Sequence, residues 1–368
     1  MTAGTPRELL ERVKISCLST GLRLSADAAR VLSSDASIPL SLHEYPTTGG
    51  VTLELDEGVF VNAPFDESFC DEARVTLEVT DGRLALEFDG DTVPVRRFVP
   101  LPGYLDATDA HGRAVTDVAM SHVDRVRLSP FVGCAYDCSF CDLAAMTYVG
   151  RPLDQLLAAL GVAQADDRLP VRHVLISGGS PRRAHYARFE EICASVIAAA
   201  GMPVDIMMSP MVDGTGFVDR MVAAGVESFA INIELHGDDT ARSFLGAKYR
   251  STRPHFEAFV ARSVELLGTT GRVRSLIIPG LEPVTDTLAG VEYLAGLGCH
   301  PVLSPFRPAE STALAGVAPP SEEELTLVLL EARAITQAHG IALGPTCVAC
   351  QHNTLSFPWD VVPAASPR

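Results

Sequence analysis

A chain of 368 residues with 47% hydrophobic content is long enough for one large domain or two to three smaller ones around a sizeable core. The formal net charge of −17 excludes a broad nucleic-acid footprint, which would need a basic face, and the lack of an uncharged apolar run of roughly eighteen residues excludes a membrane span. Nine cysteines, with no apolar segment after Met1-Thr2-Ala3-Gly4 to signal export, point to a reducing cytoplasm and to metal or redox use.

In chain order, amphipathic patterns predict helices at residues 6–14 and 26–32, with Ser16-Cys17-Leu18-Ser19 in a loop between them. Residues 51–55, 59–61, 75–79 and 84–88 then alternate apolar and polar side chains and are broken by Asp-Gly turns. This predicts an antiparallel β-rich accessory module within residues 1–120, expected to cap the mouth of the domain that follows. Pro100, Pro102 and Gly103 mark a linker. Beyond it, β-branched apolar runs at 123–128, 171–177, 204–209, 228–233, 272–278 and 301–304 alternate with helical patterns at 186–200, 216–224, 253–267 and 286–297. Repeated βα units imply a parallel sheet with helices outside, and their spacing fits a partial (β/α)6 barrel over residues 121–318. In such barrels the chemistry sits at the C-terminal ends of the strands. Residues 319–368 hold a helix at 321–339, opened by a Ser321-Glu322-Glu323-Glu324 capping box, and a Cys-containing tail.

The first barrel strand runs into Gly133-Cys134-Ala135-Tyr136-Asp137-Cys138-Ser139-Phe140-Cys141. A zinc knuckle would need a fourth ligand and a second close pair of Cys nearby, and none follows within about the next fifty residues. Three thiolates on one loop can instead hold three irons of a 4Fe-4S cube and leave the fourth iron open for chemistry. The C-x3-C-x2-C triplet, with Phe140 before its last Cys, resembles the cluster loop of the radical S-adenosylmethionine (radical SAM) superfamily. That resemblance implies that the open iron chelates the amino and carboxylate groups of SAM and that an electron from the cluster cleaves SAM to a 5'-deoxyadenosyl radical. It also implies an external electron donor such as ferredoxin or flavodoxin.

The resemblance extends over roughly residues 123 to 315. Ser177-Gly178-Gly179-Ser180 is similar to the family's GGE motif, whose backbone receives the SAM amino group, with Ser180 standing where Glu is commonest. Asn232 and Glu234 resemble the polar fourth-strand positions that contact ribose and the methionyl carboxylate, and Arg242 or Lys248 could pair that carboxylate. Ile278, with Glu282 beyond it, is similar to the fifth-strand adenine motif, and Phe306-Arg307 looks like the sixth-strand adenine contact.

Cys347 and Cys350 form a C-x-x-C pair that could be a redox dithiol, a zinc half-site or two ligands of an auxiliary iron-sulfur cluster. Cys193 reads as a helix core residue and Cys299 falls at the barrel bottom. The expectation is therefore that Cys17, Cys347 and Cys350 hold an auxiliary cluster, completed by Ser16, Ser19, His352 or an external molecule. With only three Cys ligands such a cluster would yield its sulfide readily, as in the biotin synthase and lipoyl synthase families that the arrangement resembles. Sulfur insertion into a small-molecule or peptidyl substrate is thus expected; a dehydrogenase or peptide-modifying enzyme with a redox cluster, and a non-enzymatic iron-sulfur sensor, are the alternatives.

Overall fold

The structure, a computed structural model, describes residues 5–33, 40–41 and 49–361; the expected absence of an export segment at residues 1–4 lies outside them. The N-terminal part contains α1 (Pro6–Thr20), β1 (Leu22–Leu24), α2 (Ala26–Leu32), β2 (Val51–Glu54), β3 (Phe60–Ala63), β4 (Val75–Thr80), β5 (Arg83–Phe88), β6 (Asp91–Pro94) and β7 (Arg97–Val99). Helix α1 starts where sequence predicts: the Thr5 hydroxyl accepts the Glu8 N–H, Glu8 caps Thr5 in return, and Pro6 follows. It continues past Lys14 to Thr20, because residues 13–19 are all buried, and ends at Gly21 with φ 75°. Cys17 therefore lies in the helix and not in a loop.

The strands form two small sheets, ordered β1-β4-β5-β6 and β3-β2-β7. Both hairpins of the first turn on Asp-Gly pairs with positive φ, Asp81-Gly82 and Asp89-Gly90. That backbone matches the strand twist and suits Asp-Gly.

The second part contains β8 (Ala119–His122), β9 (Arg125–Leu128), β10 (Phe131–Val132), β11 (Val149–Gly150), α3 (Leu153–Gln164), β12 (His173–Ile176), α4 (Tyr186–Ala200), β13 (Val204–Met208), α5 (Gly216–Ala224), β14 (Ser228–Ile231), α6 (Asp238–Leu245), α7 (Ala247–Leu267), β15 (Val273–Ile277), α8 (Val284–Gly296), β16 (His300–Leu303) and α9 (Glu322–Ala338). One seven-stranded sheet runs β16-β15-β14-β13-β12-β9-β8. Its six strands from β9 to β16 pair in parallel and in chain order, and β8 adds antiparallel to β9. This is the expected α/β architecture, a partial barrel whose helices bury an apolar stripe against the sheet, as α4 does with Phe189, Ile192, Cys193 and Val196. Helix α7 begins six residues before the predicted start, because Pro254 reads as a first-turn proline yet lies inside the helix.

A split barrel leaves its two edge strands, here β8 and β16, without partners. The tail fills that opening. Gly344 N–H donates to Pro301 O at 2.8 Å and Leu355 N–H to Leu303 O at 2.7 Å, fastening the tail along β16, while the His352 ring stacks on His122 of β8 at 6.4 Å. Strand β3 packs against the same tail segment, residues 349–353. Helix α1 packs on α9, where the Ser16 hydroxyl donates to Glu322 at 2.7 Å. The accessory module thus lies along the lateral opening and touches the mouth end through Arg307, where sequence expected a cap over the mouth.

Candidate functional site

The cluster loop leaves the top of β9 and is lifted by the small β10–β11 pairing, which fixes both its ends. Cys138 is buried, and Cys134 and Cys141 are partly exposed beside it. An apolar group of Leu235, Leu245, Ile278, Leu281 and Phe306 surrounds Cys138. Ser139 N–H donates to Phe244 O at 2.9 Å, and Ala135 N–H to Ser180 O at 3.0 Å, tying the loop to α6 and to the end of β12.

The glycines after β12 have a reason in this packing. A Cβ on Gly179 would fall 1.6 Å from Gly133 O and 2.9 Å from Cys134 Cα, so only glycine lets the two backbones cross. Gly178 has φ 119° and lines the cavity below. Ser180, in place of the commoner Glu, donates its backbone N–H to Cys134 Sγ at 3.2 Å, the type of hydrogen bond that stabilises a cluster-bound thiolate. Burial pushes the Cys138 thiol up to about 12 and the Cys141 thiol up to about 11. Ionising them calls for compensating positive charge, which a metal cluster supplies. The donor set and the glycine cradle fit a 4Fe-4S group on three Cys.

Beside the loop, Lys248 Nζ is hydrogen-bonded to Glu234 Oε1, with both side chains only 10% exposed. Burial works against the Lys248 ammonium, but Glu234 and the nearby thiols outweigh it and hold the lysine protonated. Glu234 has φ 60°, a strained value for a non-glycine residue, and its second oxygen Oε2 is buried without a partner. That orphaned acceptor fits a ligand's amine or hydroxyl. Asn232 Oδ1 accepts the Leu276 N–H at 3.2 Å.

Ser177, Asn232, Glu234, Ile278, Phe306 and Phe140 line one cavity of about 320 Å³ that reaches from Cys141 down to Cys347 and Cys350. Two predicted contacts are otherwise engaged. Glu282 accepts the N–H groups of His236 and Gly237, each at 2.9 Å, and so shapes the loop before α6. Arg307, which borders the cavity, donates to Gly49 O at 3.0 Å, Asn62 Oδ1 at 3.0 Å and Asn62 O at 3.2 Å in the accessory module. Arg242 is a surface charge paired with Asp239.

The lower end of the cavity holds residues that sequence reading missed: Arg125, Asp205 and Arg274 line it. Their signal was the period-two placement of charged residues on strands that are otherwise buried. Two more missed residues sit beside it. Asp124, just before β9, and His173, at the start of β12, meet Cys347 and Cys350, and the four donor atoms lie within 4.8 Å of one another. Cys17 does not join them: it is fully buried in α1, near Arg307 and Cys70, and burial pushes its thiol up to about 12. Ser16 and Ser19 are likewise spent on Glu322 and on Pro320 O, and His352 Nδ1 on Ala349 O. Cys17 is thus not brought to Cys347 and Cys350, which meet Asp124 and His173 instead.

Residues 128–288 match the model of the radical SAM superfamily. No curated protein matches the sequence. Among solved structures, a maturase of FeFe-hydrogenase, HydG, is similar at 10% identity and TM-score 0.47, over 57% of this chain and 49% of that one. HydG from Carboxydothermus hydrogenoformans is similar at 17% identity and TM-score 0.49, over 64% and 57% respectively. A radical SAM methyltransferase from Sphaerobacter thermophilus is similar at 19% identity and TM-score 0.47, over 76% of this chain and 81% of its own. The chain therefore spans about half the length of the maturases it resembles.

Proposed function

From the premise that residues 128–288 form a radical SAM superfamily domain, we propose that the protein is an enzyme that abstracts hydrogen from a small molecule held in the barrel cavity. When bound, a 4Fe-4S cluster and SAM supply a 5'-deoxyadenosyl radical by reductive cleavage of SAM, with an electron from a ferredoxin-like or flavodoxin-like donor. Cys134, Cys138 and Cys141 would hold the cluster. The Glu234–Lys248 pair would meet the amino and carboxylate ends of SAM, where Glu234 Oε2 accepts and Lys248 contributes positive charge. Ile278 and Phe306 offer an apolar wall for the adenine.

The single observation that carries this reading is that Cys141, the last thiol of the triplet, lines a cavity whose wall also presents Glu234, the acid of a buried ion pair with a spare acceptor. The cavity's size favours a small substrate. Arg127, Arg274 and Arg307 line the cavity along with Arg125, against the carboxylates of Asp205 and Glu234, and this excess of arginine favours a substrate with a carboxylate or phosphate. Sulfur insertion would require a sulfide-bearing cluster at Cys347 and Cys350. The spacing of their group suits one ion instead, so hydrogen abstraction without sulfur transfer is the favoured outcome.

Anaerobic reconstitution followed by dithionite and SAM tests the reading. The wild type should release 5'-deoxyadenosine, detected by mass spectrometry, and Cys138→Ala should not. A wild type that holds its cluster and leaves SAM intact would refute it.

A further inference from the structure

Asp124, His173, Cys347 and Cys350 come from three distant segments and meet at the N-terminal ends of β9 and β12, the barrel floor. Cys350 Sγ lies 3.3 Å from His173 Nε2, and Cys347 Sγ lies 3.9 Å from Asp124 Oδ1. Metal–ligand bonds of about 2.0–2.3 Å in a tetrahedron put ligand atoms roughly 3.3–3.8 Å apart. The group therefore has the dimensions of one ion's coordination shell. A cube would spread its ligands over separate irons and so hold them farther apart.

We propose that Asp124, His173, Cys347 and Cys350 bind a single zinc ion that fastens the tail across the floor of the barrel. The donor set suits zinc, which takes Cys, His and Asp together in tetrahedral sites. Its surroundings complete the design. Arg172 Nε holds the other Asp124 oxygen, Oδ2, at 2.9 Å, which aims Oδ1 at the site. Two thiolates and a carboxylate around a divalent cation leave one net negative charge, and Arg125 Nη1, 3.6 Å from Cys350 Sγ, offsets it. Four protein ligands close the shell, so the ion joins structure and leaves no open position for substrate. Cys347 and Cys350 line the cavity, and the ion thus sets its lower boundary.

The proposal is independent of the cluster loop. The full chain carrying Cys134→Ala, Cys138→Ala and Cys141→Ala should retain one zinc per chain by elemental analysis, and adding His173→Ala or Cys350→Ala should remove it. Cobalt(II) in place of zinc should give thiolate charge-transfer bands and intense tetrahedral ligand-field bands. If the triple variant does not fold, the wild type serves, with zinc counted apart from iron. Absence of zinc overturns the proposal. So does a second complement of iron and acid-labile sulfide that disappears with Cys350→Ala. Zinc content is read without activity, so a chain that fails to cleave SAM can still bind zinc here.

Discussion

Lys14, buried in α1, donates through its Nζ to the Gln351 carbonyl at 2.8 Å, 337 residues away along the chain. It also donates to Ser356 O at 2.7 Å. Burial, partly opposed by Asp360, brings its pKa down to about 7, against 10.5 for an ordinary lysine. Between those values the unfolded chain holds a proton that the folded chain does not, so stability rises with pH across that window. Below about 7 the full cost of burying the ammonium is present. Lys14→Met should flatten this rise and lose about 1 kcal/mol or more for each carbonyl left unpaired. Thermal midpoints from about pH 7 to about pH 9 check it; parallel curves for the two proteins would assign the pH dependence elsewhere.

Glu234→Gln should destabilise the chain by about 3 kcal/mol, because Lys248 would keep its charge in a buried site without a counter-charge. Adding Lys248→Met should restore much of that loss. Denaturant midpoints of the single and double variants measure the coupling. SAM affinity should fall in both, and unchanged affinity would remove the pair from the cofactor site.

Gly179→Ala should cost at least about 2 kcal/mol, since its methyl group would overlap Gly133 O and neither backbone can yield. The displaced loop should also hold less iron after reconstitution. Gly161→Ala, where a methyl group meets open space in α3, is the control: it should leave the iron content unchanged and, because Ala favours a helix over Gly, raise stability by about 0.5–1 kcal/mol.

Arg307→Met should cost about 3 kcal/mol through three lost hydrogen bonds and the buried oxygens left behind. It should also uncouple the accessory module from the barrel. Proteolysis within residues 49–99 should then precede loss of barrel helicity. Simultaneous loss of both would mean that the α1 and tail contacts hold the module unaided.

What sequence could reveal here was set by range. Asp81-Gly82 and the Ser321–Glu324 cap act over a few residues and predict their elements correctly. The six parallel strands follow from apolar runs at regular intervals, and the triplet places the cluster loop by chemistry alone. Short β6 and β7 carry too little pattern to be seen, and α3 and α6 were missed with them. Cys17 was misplaced because α1 is extended by burial, which its local sequence does not announce. Glu282 reads as a cofactor contact by position, but it is consumed by two backbone N–H groups that only the folded loop brings to it. Asp124 and His173 look like ordinary polar residues at strand starts. Their meeting with Cys347 and Cys350 depends on the tail crossing the open side of the barrel, an event with no local signature.

That crossing also orders assembly. The tail can dock on Pro301 and Leu303 only after β16 has found its place in the sheet. Closing so long a loop adds little to the equilibrium cost, which grows with the logarithm of length, but contacts of this separation form late. A barrel whose tail is undocked has one side open, and Asp124 and His173 on its floor are then without Cys347 and Cys350. Cys347 and Cys350 arrive on the tail itself, so the group with Asp124 and His173 comes together only as the seam closes, and a variant whose seam stays open should leave that group incomplete.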